Sequence, residues 1–133
     1  MIPNGTIATT GTGTVPEAVA RLLAAVDAHE KINLVAQVDH SAAAKKVGLE
    51  LAPTTLVIVG NPGLGSLLMQ ASPSVAIDLP MKFLISEVDG GMQVLHNDPM
   101  YLAQRHELPE NMPQLEVAAG ALQNLANVAA GTS

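Results

Sequence analysis

Leu56-Val57-Ile58-Val59 is an uninterrupted apolar run rich in β-branched residues, and Gly60-Asn61-Pro62-Gly63 ends it. An apolar run of this length between turn residues predicts a strand that is buried on both faces or nearly so. We therefore expect this strand to lie near the centre of a sheet. The leucines of residues 64–71 recur at helical spacing, which predicts a helix directly after the turn.

The segments before this strand have alternating strand and helix patterns. Residues 7–10 predict a short first strand. Thr14-Val15-Pro16-Glu17 has the Ser/Thr-x-x-Glu spacing of a capping box, which predicts the start of a helix. Residues 32–38 predict a second strand, and residues 41–47 a short helix that Gly48 ends.

The segments after it begin with a hairpin. Residues 82–88 and 92–96 predict two strands, and Asp89-Gly90-Gly91 joins them with glycines that tolerate the positive φ of a tight turn. Asp98-Pro99 predicts a helix with Asp as its N-cap and Pro in its first turn. A last amphipathic helix is expected over about residues 113–129.

Strands and helices mixed without strict alternation predict an α+β fold: a single, mostly antiparallel β-sheet covered by helices. The other face of that sheet is expected to be open, and a chain that is 48% hydrophobic tends to cover such a face with a second copy of itself. We assign residues 1–108 to one domain and residues 109–133 to a C-terminal helical extension with a frayed tail.

The composition excludes several partners. A net charge of −6 with six Lys and Arg residues provides no basic face for nucleic acid. No apolar run reaches the roughly 20 residues that span a bilayer, so no membrane partner is expected. The N-terminus lacks the basic and apolar regions of a secretory signal, which favours a cytoplasmic protein, although a mature periplasmic or secreted form has the same features.

Metal and nucleophile chemistry have little support. Cysteine is absent, which excludes thiolate sites. His40, His96 and His106, with Asp39 or Asp98, lack the spacing of a known metal motif, so we predict neither a metal nor a cofactor. No Ser lies in a G-x-S-x-G motif, which disfavours a Ser-His-Asp triad without ruling it out.

The turn at Gly60 has an incomplete phosphate-binding motif. Gly60 and Gly65 have the separation of the P-loop glycines, but Ser66 occupies the position of the Lys that reaches the phosphates. Backbone amides at this turn could hold a small anion. A strand-to-helix turn is the simpler interpretation.

The unusual polar residues lie at the ends of the predicted strands and helices. Such positions are where a domain usually places either its caps or its binding site. The candidate ligand-binding residues are Asp39, His40, Asn61, Asp78, Lys82, Asn97, Asp98, Tyr101, Arg105 and His106.

Each candidate also has a structural interpretation. Asp39 and Asp98 suit helix N-caps, and His106 suits a helix C-terminus. Asp78 and Lys82 flank Pro80 in an apolar stretch, where a buried charge must be paired, so a structural ion pair is the favoured account. His40, beside a carboxylate at a strand end, could instead be a general base.

The same residues resemble the domain of unknown function family 302. The resemblance covers about residues 5–108 and rests on six ordered blocks: Val38-Asp39-His40 with Ala43, Ala44, Lys45 and Gly48; Thr55 through Pro62; Leu67-Leu68-Met69-Gln70; Ile77-Asp78-Leu79-Pro80-Met81-Lys82; Asn97-Asp98-Pro99; and Tyr101-Leu102 with Arg105-His106. It implies a TATA-binding-protein-like arrangement of one sheet and packed helices, mostly bacterial and often homodimeric, with no established activity. The helix beyond Glu107 departs from the family's core and resembles an appended element.

Three functional hypotheses follow. The favoured one is a non-enzymatic, small-ligand-binding or sensing homodimer in which the ten candidate residues share one rim of the sheet. The second is an enzyme with His40 as general base and Arg105 or Lys82 stabilising an anion. The third is a structural or interaction protein whose polar residues are caps and ion pairs.

Overall fold

Five strands form a single antiparallel sheet in the order β1-β5-β4-β3-β2. The computed structural model describes residues 2–132. Its strands are β1 (Thr6–Gly11), β2 (Asn33–Asp39), β3 (Thr54–Gly60), β4 (Met81–Val88) and β5 (Gly91–Asn97). Its helices are α1 (Val15–Ala28), α2 (His40–Lys46), α3 (Pro62–Ala71), α4 (Pro99–Arg105) and α5 (Pro113–Ala130), with a 3₁₀ helix over Pro73–Asp78. The predicted α+β fold with an antiparallel sheet and a C-terminal helix is confirmed.

Local hydrogen bonds fix the element ends that the sequence predicted. The Thr14 hydroxyl accepts from the Glu17 N–H at 3.3 Å, and the Glu17 carboxylate accepts from the Thr14 N–H at 2.8 Å, which completes the capping box of α1. Asp98 caps α4 through the Met100 N–H at 2.9 Å. Asp89 and Gly90 both have positive φ in the hairpin between β4 and β5.

One face of the sheet, the core face, packs against α1 and α5. Val57, Phe83 and Ile85 on this face are fully buried. The alternate residues of β3 are half-buried, so the second face of this strand is covered only in part. Helices cover one side of the sheet, and β4 occupies its centre with β3 beside it.

The opposite face, the open face, carries an apolar row across all five strands. Strand pairing aligns Val38, Leu56, Leu84, Leu95 and Ala8 in that order. The first of these is exposed and the other four are half-buried. This face is apolar in its middle and lies opposite the two long helices.

Helix α5 belongs to the main core. Leu122, Leu125 and Ala126 of α5 are buried in the same cluster as the core face of the sheet. The helix end is tied to the rest of the chain, since the Thr12 N–H donates to the carbonyl of Ala130 at 2.9 Å. The sequence set residues 109–133 apart as an extension, whereas in the structure α5 fills part of the space above the sheet.

A second apolar cluster joins α3, the 3₁₀ helix, α4 and the start of α5 at one end of the sheet. Leu68, Val75, Ala103, Leu108 and Leu115 are buried there. This lower end, where β3 and β5 finish and β4 begins, is therefore covered by α3, the 3₁₀ helix, α4 and the start of α5. No helix within residues 2–132 combines the length and the apolar character needed to cross a membrane.

Candidate functional site

A pocket of about 460 Å³ opens at the lower end of the sheet. The end of β3, the start of β4, the first turns of α3, the second and third turns of α5, the loop between α1 and β2, and the segment around Pro80 surround it. Its apolar lining includes Ile32, Val59, Leu64, Met69, Leu79, Met81, Ala121 and Leu122. Its volume is within the range of small-molecule sites in proteins.

The polar lining of this pocket comes largely from the loop between α1 and β2. His29, Lys31 and Asn33 contribute from this loop and the start of β2. The ring Nδ1 of His29 accepts the backbone N–H groups of Lys31 at 3.1 Å and Ile32 at 3.2 Å, which fixes the loop. Nδ1 is therefore unprotonated, and the loop that carries Lys31 is held at the pocket's edge.

A second concavity, the outer groove, continues from the pocket. Both are lined by Lys31, Asn61, Pro62, Leu64 and Val117, and the shared residues define a mouth between them. The outer groove also contacts the start of α5.

Of the ten predicted site residues, Asn61 alone lines the pocket. It is also the N-cap of α3, because its Oδ1 accepts the N–H of Leu64 at 3.2 Å. The cap therefore explains why this residue type stands here, and the same cap brings the first turn of α3 to the mouth.

Asp78, Arg105 and His106 meet in one cluster outside the pocket. Nη1 of Arg105 lies 3.1 Å from Oδ1 and 3.0 Å from Oδ2 of Asp78. Nε2 of His106 lies 2.5 Å from Oδ2 of Asp78, and its Nδ1 lies 2.8 Å from Oγ of Ser74. An ionised carboxylate only accepts, so Nε2 carries a proton, and in the neutral ring Nδ1 accepts from the Ser74 hydroxyl. The structural ion pair expected for Asp78 is thus present, with Arg105 as its charged partner and His106 as a further hydrogen-bond donor.

This serine–histidine–carboxylate chain has the order of groups found in hydrolase triads, but the ring nitrogens are exchanged: the serine meets Nδ1 and the carboxylate meets Nε2. Neither the pocket nor the outer groove includes Ser74 or His106. A second bond, from the Ser72 hydroxyl to the carbonyl of His106 at 2.8 Å, joins the same two segments. The network therefore ties the 3₁₀ helix to the C-terminal end of α4.

Four further candidates, Lys82, Asn97, Asp98 and Tyr101, surround the ends of β4 and β5 without lining the pocket. Nζ of Lys82 donates to the carbonyl of Pro80 at 3.2 Å and, among residues 2–132, joins no ion pair. Asn97 ends β5 opposite Thr6. Tyr101 packs on Gly5, where a Cβ would overlap the ring and where φ is +79°. These contacts give the residues packing and capping roles.

Asp39 and His40 lie at the opposite end of the sheet, so the single rim expected for the ten candidates is divided. Asp39 pairs with Thr55 at the start of β3, whereas Asn61 follows its end. At about 3.3 Å per residue, the length of β3 separates Asp39 from Asn61 by roughly 20 Å. Hydrogen bonds from the Ser41 hydroxyl and the Ala42 N–H hold the pKa of the Asp39 carboxyl below its ordinary value.

His96 is the histidine that the sequence left least defined. It is 2% exposed, and neither ring nitrogen has a hydrogen-bond partner among the described residues. Burial lowers the pKa of His96, and the charge of Asp98 opposes this in part. Residues 2–132 contain no group of three potential metal-ligating side chains.

The pocket residues His29 and Lys31 were missed by the sequence analysis. A signal for them was present: Asn33 pairs with Gly60, so a loop entering β2 must lie beside the turn that leaves β3. Antiparallel pairing of these two strands would have brought Lys31 next to Asn61, but strand pairing was not assigned from the sequence.

Comparison with known proteins places these features in a family. The family model described as "Domain of unknown function DUF302" matches residues 7–130, a span that includes α5. A solved structure, an uncharacterized conserved DUF302 protein from Bacillus stearothermophilus, aligns with a TM-score of 0.74 over 98% of each chain at 17% identity. At that identity the likeness concerns the fold.

Relatives with a curated name are called fluoride-specific ion channels. FluC 1 of Brucella suis is 39% identical over 109 residues, which are 81% of this chain and 42% of that protein. FluC 1 of Brucella abortus is 39% identical over 109 residues, or 40% of its length. The chain thus matches about two fifths of these proteins. The match of the family model over most of its length shows that the chain belongs to the DUF302 family.

Proposed function

We propose that this domain binds a small, mainly aliphatic molecule in the pocket at the lower end of the sheet. The observation that carries the proposal is the pocket itself. Val59, Met81 and Leu122, from two strands and a helix, converge on a space of about 460 Å³. Filling that space with an apolar group removes apolar surface from water, which favours binding by about 25 cal/mol per Å² before the costs of ordering the ligand.

The position of the pocket also supports binding. It lies between the two apolar clusters of the protein, with Leu122 from the main core and Leu64 and Met69 packed on the second one. A ligand there would contact α3, α5 and the ends of β3 and β4 at once. Its binding would therefore be coupled to the relative positions of these elements, which is what a sensing domain requires.

The geometry gives no comparable support to an enzyme based on His40. His40 is exposed at the start of α2, and Arg105 is held by Asp78 at the other end of the sheet. A general base must lie within hydrogen-bond reach of the groups that it serves. His40 and Arg105 are too far apart to act on the same small substrate.

The proposal is tested by filling the pocket. Ala121 lines it, and Ala121→Trp would occupy much of the space, whereas Ala24→Trp adds the same side chain at an exposed site on α1. With decanol and decanoate as probes below their micelle-forming concentrations, we expect the ¹³C-methyl NMR signals of Met69 and Met81 to shift in the native chain and in Ala24→Trp. Ala121→Trp should abolish both shifts. Unshifted Met69 and Met81 signals in the native chain would refute the pocket as a binding site.

We also propose that the domain acts as a homodimer through its open face. The row from Val38 to Ala8 is apolar, crosses every strand and is uncovered by α1 and α5. A second copy of the same face would complete the sandwich of layers that a sheet with one covered face lacks.

For the longer relatives, we propose that the matched portion has a regulatory, ligand-sensing role beside the activity in their name. What supports this is the partial match, 42% of the length of the Brucella suis protein. A deletion of the matched portion from that protein should then change how its fluoride transport responds to a ligand while leaving transport itself measurable. Complete loss of transport with normal expression would contradict a purely regulatory role.

A further inference from the structure

We propose that the ligand is an amphipathic anion, with an aliphatic tail in the pocket and a carboxylate or similar head at the mouth beside Lys31. This inference rests on the proposed function, because it names the ligand class of the same pocket.

The lining suits an aliphatic tail. None of the lining residues, all within the described part of the chain, is Phe, Tyr or Trp. The walls are built from aliphatic and thioether side chains such as Ile32, Leu79 and Met69. Flexible side chains of this kind adapt to a flexible hydrocarbon and provide no ring for stacking.

The charged side chain that lines the mouth is a cation, in a chain whose net charge is −6. Lys31 lines both concavities. The first turn of α3, a helix of 10 residues, also reaches both, and the first turn of α5, a helix of 18 residues, lines the outer groove through Pro113 and Gln114. Helix N-termini carry partial positive charge, so the α3 dipole adds to the Lys31 ammonium at the mouth, and the α5 dipole lies beside the outer groove.

Among the described residues, no Asp or Glu lines the pocket or the outer groove. Glu30 precedes Lys31 and Glu116 lies in the first turn of α5, but neither lines the pocket or the outer groove. Within residues 2–132, Lys31 is in no ion pair. An anionic head placed at the mouth would therefore meet a free ammonium group.

The mouth is also fixed in shape before a ligand arrives. The His29 ring accepts the N–H of Lys31 at 3.1 Å, which anchors the backbone from which the ammonium extends. The Asn61 side chain uses its Oδ1 to cap α3, so its NH₂ group is left as a donor at the mouth. A preformed donor set of this kind lowers the ordering cost of binding a head group.

The experiment compares three probes with one tail: decanoate, decanol and decyltrimethylammonium. Titrations followed by the methionine methyl signals and by calorimetry give their dissociation constants. At low salt we expect decanoate to bind about threefold to fivefold more tightly than decanol, as one partly exposed charge pair supplies. The cationic probe should bind more weakly than either.

Variants of Lys31 isolate the contribution of the head group. Lys31→Gln should weaken decanoate binding about fivefold and leave decanol unchanged, while Lys31→Arg should retain most of the preference. Lys46→Gln makes the same change of charge at an exposed position on α2, at the far end of the sheet, and should alter neither constant. Added salt should reduce the decanoate preference in the native chain.

The outcomes separate the two proposals. Equal binding of decanoate and decanol, both abolished by Ala121→Trp, would overturn the anionic class and leave the pocket standing. Preference for decanoate that Lys31→Gln does not change would overturn the role of Lys31. Failure of all three probes to bind, or binding that Ala121→Trp does not reduce, would overturn both proposals.

Discussion

At the scale of single residues, His96 is the side chain whose surroundings suit its chemistry least. Its ring lies 5.6 Å from that of Phe83, and neither nitrogen finds a partner among the described residues. A buried polar atom without a hydrogen bond costs about 1–3 kcal/mol. An apolar residue of similar volume avoids that cost, so we predict that His96→Leu raises the free energy of unfolding by about 1 kcal/mol in urea denaturation near pH 7.5. A loss of stability would indicate that the ring has a partner.

The same burial gives His96 a pH dependence of known sign. Because its folded pKa is lowered from the ordinary 6.5, the unfolded chain binds more protons at acidic pH. Above about pH 6.5 the burial of His96 takes nothing from the free energy of unfolding through proton binding. As the pH falls from there toward the folded pKa, the free energy of unfolding decreases by up to about 1.4 kcal/mol per pH unit. The advantage of His96→Leu over the native chain should therefore widen between pH 7.5 and pH 5. Parallel stability curves would contradict this prediction.

Asp78 is the residue on which the polar cluster depends. It accepts from Arg105, whose side chain is 53% exposed, and from His106, whose side chain is 6% exposed. Solvent screens the first contact, so we assign most of the effect to the second. Asp78→Asn should lower the free energy of unfolding by about 1–2 kcal/mol, measured by thermal or urea unfolding. Asp27→Asn, at an exposed position near the end of α1, is the matched control and should have little effect; equal effects would show that the cluster does not stabilise the fold.

At the scale of elements, the sequence predicted what neighbouring residues determine. The capping box at Thr14, the N-cap at Asp98 and the hairpin at Asp89-Gly90 depend on contacts within a few residues, and all three were found. Features that depend on strand pairing were not predicted. The irregularity of β2 between Leu34 and Ala36, the half-buried face of β3 and the pocket beside Lys31 each need a partner strand to be known. For this reason the candidate residues predicted from the sequence coincide with the pocket lining only at Asn61.

Helix α5 decides whether residues 1–108 can fold alone. The division of the chain after residue 108 implies that residues 1–108 can fold alone, but Leu122, Leu125 and Ala126 of α5 complete the core above the sheet. Losing a buried leucine side chain alone costs about 2–5 kcal/mol, and small domains are stable by only about 5–15 kcal/mol. We predict that a chain ending at residue 108 gives poorly dispersed amide NMR signals and no cooperative thermal transition. A chain lacking only residues 132 and 133 is the control; a cooperative transition in the shorter chain would uphold the division.

At the scale of the whole molecule, the sheet separates two surfaces with different chemistry. The core face, with α1, α3 and α5, forms the pocket at its lower end. The open face carries the apolar row that α1 and α5 do not cover, and Leu84 and Leu95 are paired at its centre. A ligand and a second copy of the chain would therefore occupy opposite sides of one sheet. The side chains of β3 point alternately to the core face and to the open face. Binding at the core face can therefore shift a strand that also forms the open face.

The proposed dimer depends on the apolar centre of the open face. If two copies join there, a charge at its centre would be buried without a partner, which costs several kcal/mol, whereas the separate chain would keep that charge half-exposed. Light scattering after size exclusion should therefore give a dimer for the native chain and a monomer of preserved circular dichroism for Leu84→Glu or Leu95→Glu. Ile77→Glu is the control, because Ile77 is 75% exposed and lies in the 3₁₀ helix at the lower end; it should remain dimeric. A monomeric native chain would refute the dimer, and a dimer that survives both glutamates would move its interface to another surface.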